Sequence, residues 1–238
     1  MEPGAWKLIP MYQATSSQDL KFRITASGPC ATPGNVVFPC GGGGDVTVDA
    51  DGGLGMLKVI GQPWEHVQYY GGFGPGKLTL RLPDGQVMTS KRTGWAFQGG
   101  ARAVILPDTV VSPAVALDLG YWFHRYAFDE VRPAATAAAG QISQRLDIQQ
   151  LQVALETSHR FEFQDPKMAL EPYGGVKWLR SQSSLTDNQL GGQVAGAQDT
   201  ITPFVGLQVP VFERETLFAE ASFVNGIQYA AGLHVRFK

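Results

Sequence analysis

The sequence predicts an all-β fold, an antiparallel up-and-down transmembrane β-barrel of ten strands, with eight strands as the alternative. Three observations indicate this fold. Apolar and polar residues alternate along most of the chain, the connections between these runs are alternately short and long, and the last two runs form a hairpin. In Ile227–Phe237 every odd position is apolar and every even position is polar or small. Successive side chains of a strand point to opposite faces, so this segment has one apolar face.

Ten runs show this alternation, and each is a predicted strand. The first has Leu20 and Lys21 on opposite faces. In the third, the apolar phase changes across residues 74–76 (GPG), which predicts a bulge or bend. The last two are joined by Asn225-Gly226, a dipeptide typical of tight hairpins. The predicted strands lie at about 20–26, 54–61, 67–82, 95–106, 115–124, 147–161, 170–181, 201–212, 217–223 and 227–237.

The connections predict how the chain is divided. Residues 1–18 have no clean period, which predicts an N-terminal extension before a barrel at 19–238. In outer-membrane barrels short turns face the periplasm and longer loops face outward, so an even strand count puts both barrel ends on the periplasmic side. The Ala-rich composition of the connection at about 128–145 also favours a short helix there. The expected extracellular loops are at about 27–52, 83–94, 128–145 and 182–199.

Composition narrows the class of protein. A net charge of −2 with no basic arm gives no reason to expect a nucleic-acid partner. No apolar run approaches the ~18 residues of a membrane helix. The first residues lack a secretory signal pattern, so we expect an exported chain to be in its processed form. Cys30 and Cys40 predict a local disulfide and an oxidising compartment; a metal pair is the alternative, although no further ligand completes it.

The polar face of the strands predicts a membrane barrel. Small soluble barrels fill their interior with apolar side chains, whereas this chain carries charges on the polar face. Charges enclosed in a narrow lumen must be paired or hydrated, which predicts an inner salt-bridge network and leaves the apolar face to lipid. The predicted network consists of Lys21, Arg23, Lys58, Arg102, Asp118, Glu156, Lys177, Glu220 and Arg236. We expect the aromatic residues Tyr69, Trp95, Tyr121, Trp178 and Phe237 to face the lipid or its interface.

Several short motifs give the chain a family resemblance. The segments GWAFQGGARAVI (94–105), PYGGVKW (172–178) and PFVGL (203–207), with the Phe-bearing last strand, are similar to those of small bacterial outer-membrane β-barrel proteins. The resemblance covers roughly residues 53–238 and implies location in the outer membrane. It also implies that Phe237 is the C-terminal aromatic signal for the barrel-insertion machinery, although Lys238 follows it. Barrels of this size include the omptin proteases and some adhesins.

An enzyme of omptin or lipid-hydrolase type is the less supported alternative. Omptin-like proteolysis uses acidic and Asp/His pairs at the outer rim, and the sequence offers only Asp49 and Asp51. Ser158 and His159 are adjacent, so they point to opposite faces and cannot act as a pair. We predict no catalytic, cofactor-binding or metal site. Calcium at Asp45, Asp49 and Asp51 is a minor alternative, because their spacing is not that of an EF-hand.

The strand count sets the expected function. Eight strands leave room only for side chains and sixteen open a channel, so ten predict a lumen largely plugged by its own side chains. We therefore expect a non-enzymatic integral outer-membrane protein whose loops contact a protein, a surface polymer or another copy of the chain, surrounded by lipid or lipopolysaccharide. A narrow porin-like channel is the first alternative. A soluble β-sandwich or barrel is another, and would leave a large apolar surface exposed.

Overall fold

The computed structural model describes residues 4–24, 44–90, 92–132, 140–164, 168–188, 193–223 and 226–237. These residues form twelve β-strands, and among them there is no helix long and apolar enough to cross a membrane. The predicted all-β fold is confirmed. The strands are β1 (Trp6–Ile24), β2 (Gly44–Trp64), β3 (Val67–Arg81), β4 (Val87–Thr89), β5 (Gly94–Leu106), β6 (Ala114–Arg132), β7 (Gly140–Ser158), β8 (Phe161–Phe163), β9 (Met168–Asp187), β10 (Gln193–Pro210), β11 (Glu215–Ser222) and β12 (Ile227–Phe237).

Ten of these strands close a hydrogen-bonded ring. Their order is β1-β2-β3-β5-β6-β7-β9-β10-β11-β12, and the ring closes where β12 pairs with β1, with Trp6 opposite Phe237. Neighbours are antiparallel throughout. Because closure removes the free edges of a sheet, the ring satisfies its backbone groups without water. The up-and-down barrel of ten strands is confirmed.

Several strands are about twice as long as a membrane requires. A tilted transmembrane strand needs ~9–11 residues, whereas β2 has 21, β9 has 20 and β1, β6 and β7 have 19 each. The surplus lies at the end of the barrel opposite the chain termini. We call the end that holds both termini the terminal end, the opposite one the loop end, and the surplus part of the strands the extension.

The extension is a narrower barrel of eight strands. β4 pairs there with both β3 and β6. Nearer the terminal end, β5 occupies this position between β3 and β6. On the opposite side β11 and β12 end, and β10 pairs directly with β1, with Arg23 opposite Ala195. The approach of β10 to β1 depends on Gly196, since a Cβ at this position would overlap the backbone of Lys21. The barrel therefore changes from ten strands to eight along its axis.

A β-bulge in β1 marks this change. The register of β1 against β2 shifts between Thr15 and Gln18, and Ser17 has a left-handed backbone with φ of 51°. Pairing with β12 ends just before it, at Ser16 and Ile227. The Ser17 N–H donates to Asp51 Oδ1 at 2.8 Å. This hydrogen bond holds the bulge where β1 leaves β12 and turns towards β10.

We call the part of the barrel between the terminal end and the extension the membrane part. The polarity of the inward and outward faces reverses between the membrane part and the extension. In the membrane part the outward row is apolar: Leu119 and Val205 are 51% and 57% exposed, which confirms the predicted lipid-facing stripe. On β6 this row occupies residues 115–123, close to the ~9–11 residues that span a bilayer. In the extension the outward row is polar, and the interior is an apolar core. The fully buried side chains of this core include Phe22, Val48, Leu80, Met88, Phe128 and Leu146.

This reversal corrects the prediction for residues 74–76. The register of β3 against β2 continues without a shift from Phe73 to Arg81, so no bulge is present. Phe73 faces outward and Leu78 and Leu80 face inward on an unbroken strand. The change of apolar phase reflects a change of solvent at the edge of the membrane, because apolar side chains turn away from water on whichever side it lies.

The predicted division of the chain is also corrected. The N-terminal segment predicted at residues 1–18 is contradicted from Trp6 onwards, because β1 begins there and closes the barrel; the inward row of β1 is of mixed polarity, which hides the period. Much of the predicted loops is strand, namely 44–52, 128–132, 140–145, 182–187 and 193–199, and β4 lies within 83–94. Almost all other residues of the first, third and fourth predicted loops lie outside the described residues. So do most of the short helix predicted in the Ala-rich third loop, and Asn225.

We predict that closing the extension depends on the missing side chain of Gly196. Gly196→Val should separate β10 from β1, since overpacking costs about 1–3 kcal/mol and backbone stands in the way here. Trypsin should then cleave quickly after Lys21 or Arg23 while the membrane part stays folded. The control is Ala195→Val, whose side chain is outward and exposed. Equal trypsin resistance in both variants would contradict the eight-stranded closure.

A second prediction concerns acid. The hydrogen bond from the Ser17 N–H, together with that from Arg81 Nε and against the effect of partial burial, lowers the pKa of Asp51 below its usual range. The carboxylate therefore stabilises the bulge above its unfolded pKa of about 3.9, and this contribution disappears as pH falls through the folded pKa. Amide hydrogen exchange at Ser17 should be slow at pH 6 and faster below pH ~4 relative to its intrinsic rate.

In Asp51→Asn the same amide should exchange quickly at both pH values. Asp45→Asn is the matched control, since Asp45 accepts only from exposed Arg23 on the same face. If the acid dependence survives Asp51→Asn, the carboxylate does not hold the bulge.

Candidate functional site

The membrane part of the lumen carries a cluster of charged side chains, and this is the candidate site. It lies on the inward rows of the ring, where every second residue of a strand points to the axis. Six of the nine residues predicted for the network meet here as three cations and three carboxylates, so their formal charges balance. We call this group the lumen network: Lys58, Arg102, Lys177, Asp118, Glu156 and Glu220.

Two ion pairs form its core. Arg102 Nη2 donates to Glu156 Oε1 at 2.5 Å between β5 and β7, and both side chains are at least three-quarters buried. Lys177 Nζ lies 3.5 Å from Glu220 Oε1 and 5.3 Å from the ring centre of Phe204. These are the pairings that enclosed charges need, because an isolated charge in such a place is very unfavourable.

Two tyrosines, which the sequence reasoning missed, complete the network. Tyr70 Oη donates to Asp118 Oδ1 at 2.9 Å, and Lys58 Nζ lies 3.8 Å from the centre of its ring. Tyr173 Oη donates to Glu220 Oε2 at 3.2 Å. Each tyrosine therefore joins two strands that are separated by one other strand in the ring. The result is a set of braces between inward side chains of different strands.

Inward glycines make room for the tyrosines. A Cβ on Gly100 or Gly120 would overlap Tyr70, and one on Gly206 would overlap Tyr173. A tyrosine lying flat against the wall needs a neighbour with no side chain. The signal was therefore present in the sequence: inward glycines on strands next to an inward tyrosine.

Three predicted members lie elsewhere. Lys21 and Arg23 are on the outward, exposed face of the extension, where Arg23 pairs with Asp45 at 3.2 Å. Their assignment to the lumen was wrong, because water outside the extension turns Leu20 and Phe22 inward instead. Arg236 faces inward but lies at the terminal end of the lumen, exposed and away from the network. The predicted disulfide between Cys30 and Cys40 falls outside the described residues.

The histidines occupy four unrelated places. His66 is exposed in the β2–β3 turn, and His124 is buried inside, parallel to the rings of Trp122 and Tyr126. His234 faces inward near the terminal end, against Phe218. Ser158 is buried, whereas His159 turns to Asp108, so the two do not act together.

The pair formed by Asp108 and His159 was not anticipated from the sequence. Asp108 Oδ1 lies 2.8 Å from His159 Nδ1, and its Oδ2 accepts from the Arg160 N–H at 3.1 Å. Although partial burial works the other way, these hydrogen bonds lower the pKa of Asp108. The pair joins the β5–β6 and β7–β8 connections at the terminal end. A separation of 51 residues in the chain gave no local motif for it.

The loop-end acids do not form a metal cluster. Asp45 pairs with Arg23, Asp51 accepts from Arg81 at 2.9 Å, and Asp49 lies on the same outward row of β2. In the part of the chain that the structure describes, no group of three or more His, Cys, Asp or Glu residues is arranged to hold a metal ion. Two of these three acids therefore pair with surface arginines.

We predict that breaking one ion pair destabilises the barrel more than removing both partners. Arg102→Ala leaves Glu156 buried and uncompensated, which should cost about 3 kcal/mol of unfolding free energy. Arg102→Met combined with Glu156→Gln should recover most of it. Urea unfolding of protein refolded into lipid measures both. Arg23→Ala, in an exposed pair, should cost under about 1 kcal/mol. A double variant no more stable than Arg102→Ala would contradict this role.

Comparison with known proteins agrees with the geometry. No protein-family model matches the chain, and no curated protein matches it in sequence. Among solved structures it is similar to the translocator domain of the autotransporter NalP from Neisseria meningitidis (TM-score 0.54, 11% identity, covering 100% of this chain and 89% of that one). It is also similar to the outer membrane protease OmpT from Escherichia coli (TM-score 0.51, 12% identity, covering 98% and 97%). The chain therefore has the fold of a closed antiparallel β-barrel, as these two outer-membrane proteins do.

Proposed function

We propose that this integral outer-membrane barrel is a sealed, non-enzymatic scaffold that presents its loops for binding at the cell surface. The observation that carries the proposal is that inward side chains contact one another at two levels of the lumen. The lumen network lies in the membrane part, and the apolar core lies in the extension. A barrel devoted to solute passage would leave a continuous polar path, which these two layers interrupt.

The extension supports a role in display. Eight strands enclose an interior just wide enough for side chains, so the extension is a packed and rigid body. It stands at the loop end, and its outward charges are suited to water. Loops on rigid scaffolds commonly carry binding, so the connections that emerge here are the proposed contact sites. A protein, a surface polymer or a second copy of the chain is the proposed partner class.

The surroundings of the barrel follow from the same argument. The outward apolar row needs lipid or lipopolysaccharide as its solvent. Phe237 faces outward at the end of β12, opposite Trp6, where the insertion machinery would have access to it. Its role as the insertion signal remains part of the proposal. The non-enzymatic assignment is supported by the opposite orientations of Ser158 and His159.

We predict that the purified barrel is silent in planar bilayers. Conductance should stay at the level of the bare membrane over several hundred millivolts, since both layers of the lumen must open for ions to pass. Arg102→Ala should also be silent, because the core of the extension remains. Steady ohmic steps in the wild type that change in Arg102→Ala would instead favour the narrow channel.

The display role is tested on cells. Deleting residues 27–42 leaves three residues between Ile24 and Gly44, which form a cross-strand pair, so a short hairpin can replace the loop. The variant should insert normally but lose adhesion of the cells to each other or to a glycan-coated surface. The control replaces residues 27–42 with a Gly/Ser segment of equal length. Normal adhesion in both variants would remove this loop from the proposed function.

A further inference from the structure

We propose that the terminal end of the lumen binds a small oxyanion, a phosphate or carboxylate group, between Lys7 and Arg236. The site lies at the seam where β1 and β12 close the barrel. It goes beyond the proposed scaffold function, because it faces the side opposite the loops. We call it the terminal mouth, formed by Lys7, Arg236, His234 and Glu171.

Two cations stand directly opposite each other across the seam. Lys7 and Arg236 are partners in the antiparallel register of β1 and β12. The neighbouring pair, Trp6 and Phe237, is exposed on the outer surface, so alternation turns Lys7 and Arg236 inward. Like charges at directly opposed positions repel and weaken a strand pair. A closing seam is an unfavourable place for such repulsion unless an anion offsets it.

The described residues provide no such anion at close range. Neither Lys7 nor Arg236 has an acidic partner within ion-pair distance among them, whereas Arg102 and Lys177 form ion pairs and Lys58 lies against the ring of Tyr70. Glu171 acts on Lys7 electrostatically without forming an ion pair. The carboxylates of the lumen network already serve Arg102, Lys177 and the tyrosines. The mouth therefore has more positive charge than its own carboxylates neutralise.

A third group points to the same place. His234 lies two residues from Arg236 on the inward row of β12, and Lys7 acts on it electrostatically. Its Nδ1 is buried and has no hydrogen-bond partner among the described residues. A buried polar atom without a partner is costly and normally indicates an unseen one. An ammonium, a guanidinium and an imidazole on nearby inward positions of β1 and β12 supply the donor types that an oxyanion needs.

The chemistry favours a small ligand that enters from the terminal end. Arg236 is exposed and Lys7 half-buried, so the site is open on that side and closed above by the lumen network. Guanidinium and ammonium groups bind phosphate and carboxylate oxygens through charge-assisted hydrogen bonds. A bound oxyanion would bridge the first and last strands. It would thereby stabilise the pairing of β1 with β12.

The experiment titrates inorganic phosphate into the refolded full chain in lipid nanodiscs, with chloride at matched ionic strength as the reference. Calorimetry should show saturable binding, and hydrogen exchange should slow at the paired amides of β1 and β12. Acetate in a parallel titration distinguishes a carboxylate ligand from phosphate. Lys7→Met and Arg236→Gln should each weaken binding about tenfold, the usual effect of losing one charge-assisted hydrogen bond.

Two further variants keep the test decisive. Lys21→Met removes an exposed cation from the same strand and should leave the affinity unchanged. Glu171→Gln removes the competing carboxylate and should tighten binding, which a general loss of structure would not do. Absence of saturable binding by both anions overturns the proposal. So does phosphate binding that Lys7→Met and Arg236→Gln leave unchanged.

Discussion

Backbone hydrogen bonding within hydrocarbon is the constraint on which this structure depends. Each strand in the membrane must be paired on both sides, because no water is present to satisfy an open edge. The ring of ten strands meets this requirement, and the chain begins and ends next to itself to do so. Where β11 and β12 stop, the wall is surrounded by water, and β10 meets β1 through a glycine and a bulge. The eight-stranded extension closes there to cover its apolar core and to leave no free strand edge for another chain.

The solvent outside the wall then decides which side chains face inward. Lipid surrounds the lower part, so apolar residues face out and charges turn to the axis, where they must find partners. Water surrounds the extension, so the same strands place apolar residues inside. One interior contains ion pairs and tyrosines, and the other contains an apolar core. The proposed seal of the barrel would rest on these two opposite arrangements.

Sequence periodicity predicted the strand count, the antiparallel order and the outward positions of Leu119 and Val205. It also predicted Arg102, Glu156, Lys177 and Glu220 as a network. It failed for Lys21, Arg23 and the bend at residues 74–76, because lipid was assumed to surround the barrel along the whole length of the strands. The part of β1 before Leu20 was missed because Lys7, Ile9 and Met11 share its inward row and hide the alternation. The pairing of Asp108 with His159 is set by tertiary structure, and no local pattern encodes it.

The narrowing from ten strands to eight has a mechanical consequence. Tension applied at the tip of the extension passes into the seven of its strands that continue into the membrane part, above all long ones such as β2, β6 and β9. The β11–β12 hairpin ends before the extension and carries little of that load. A pull from outside would therefore shear long ladders of hydrogen bonds loaded in parallel, and the short final hairpin would stay out of the line of force.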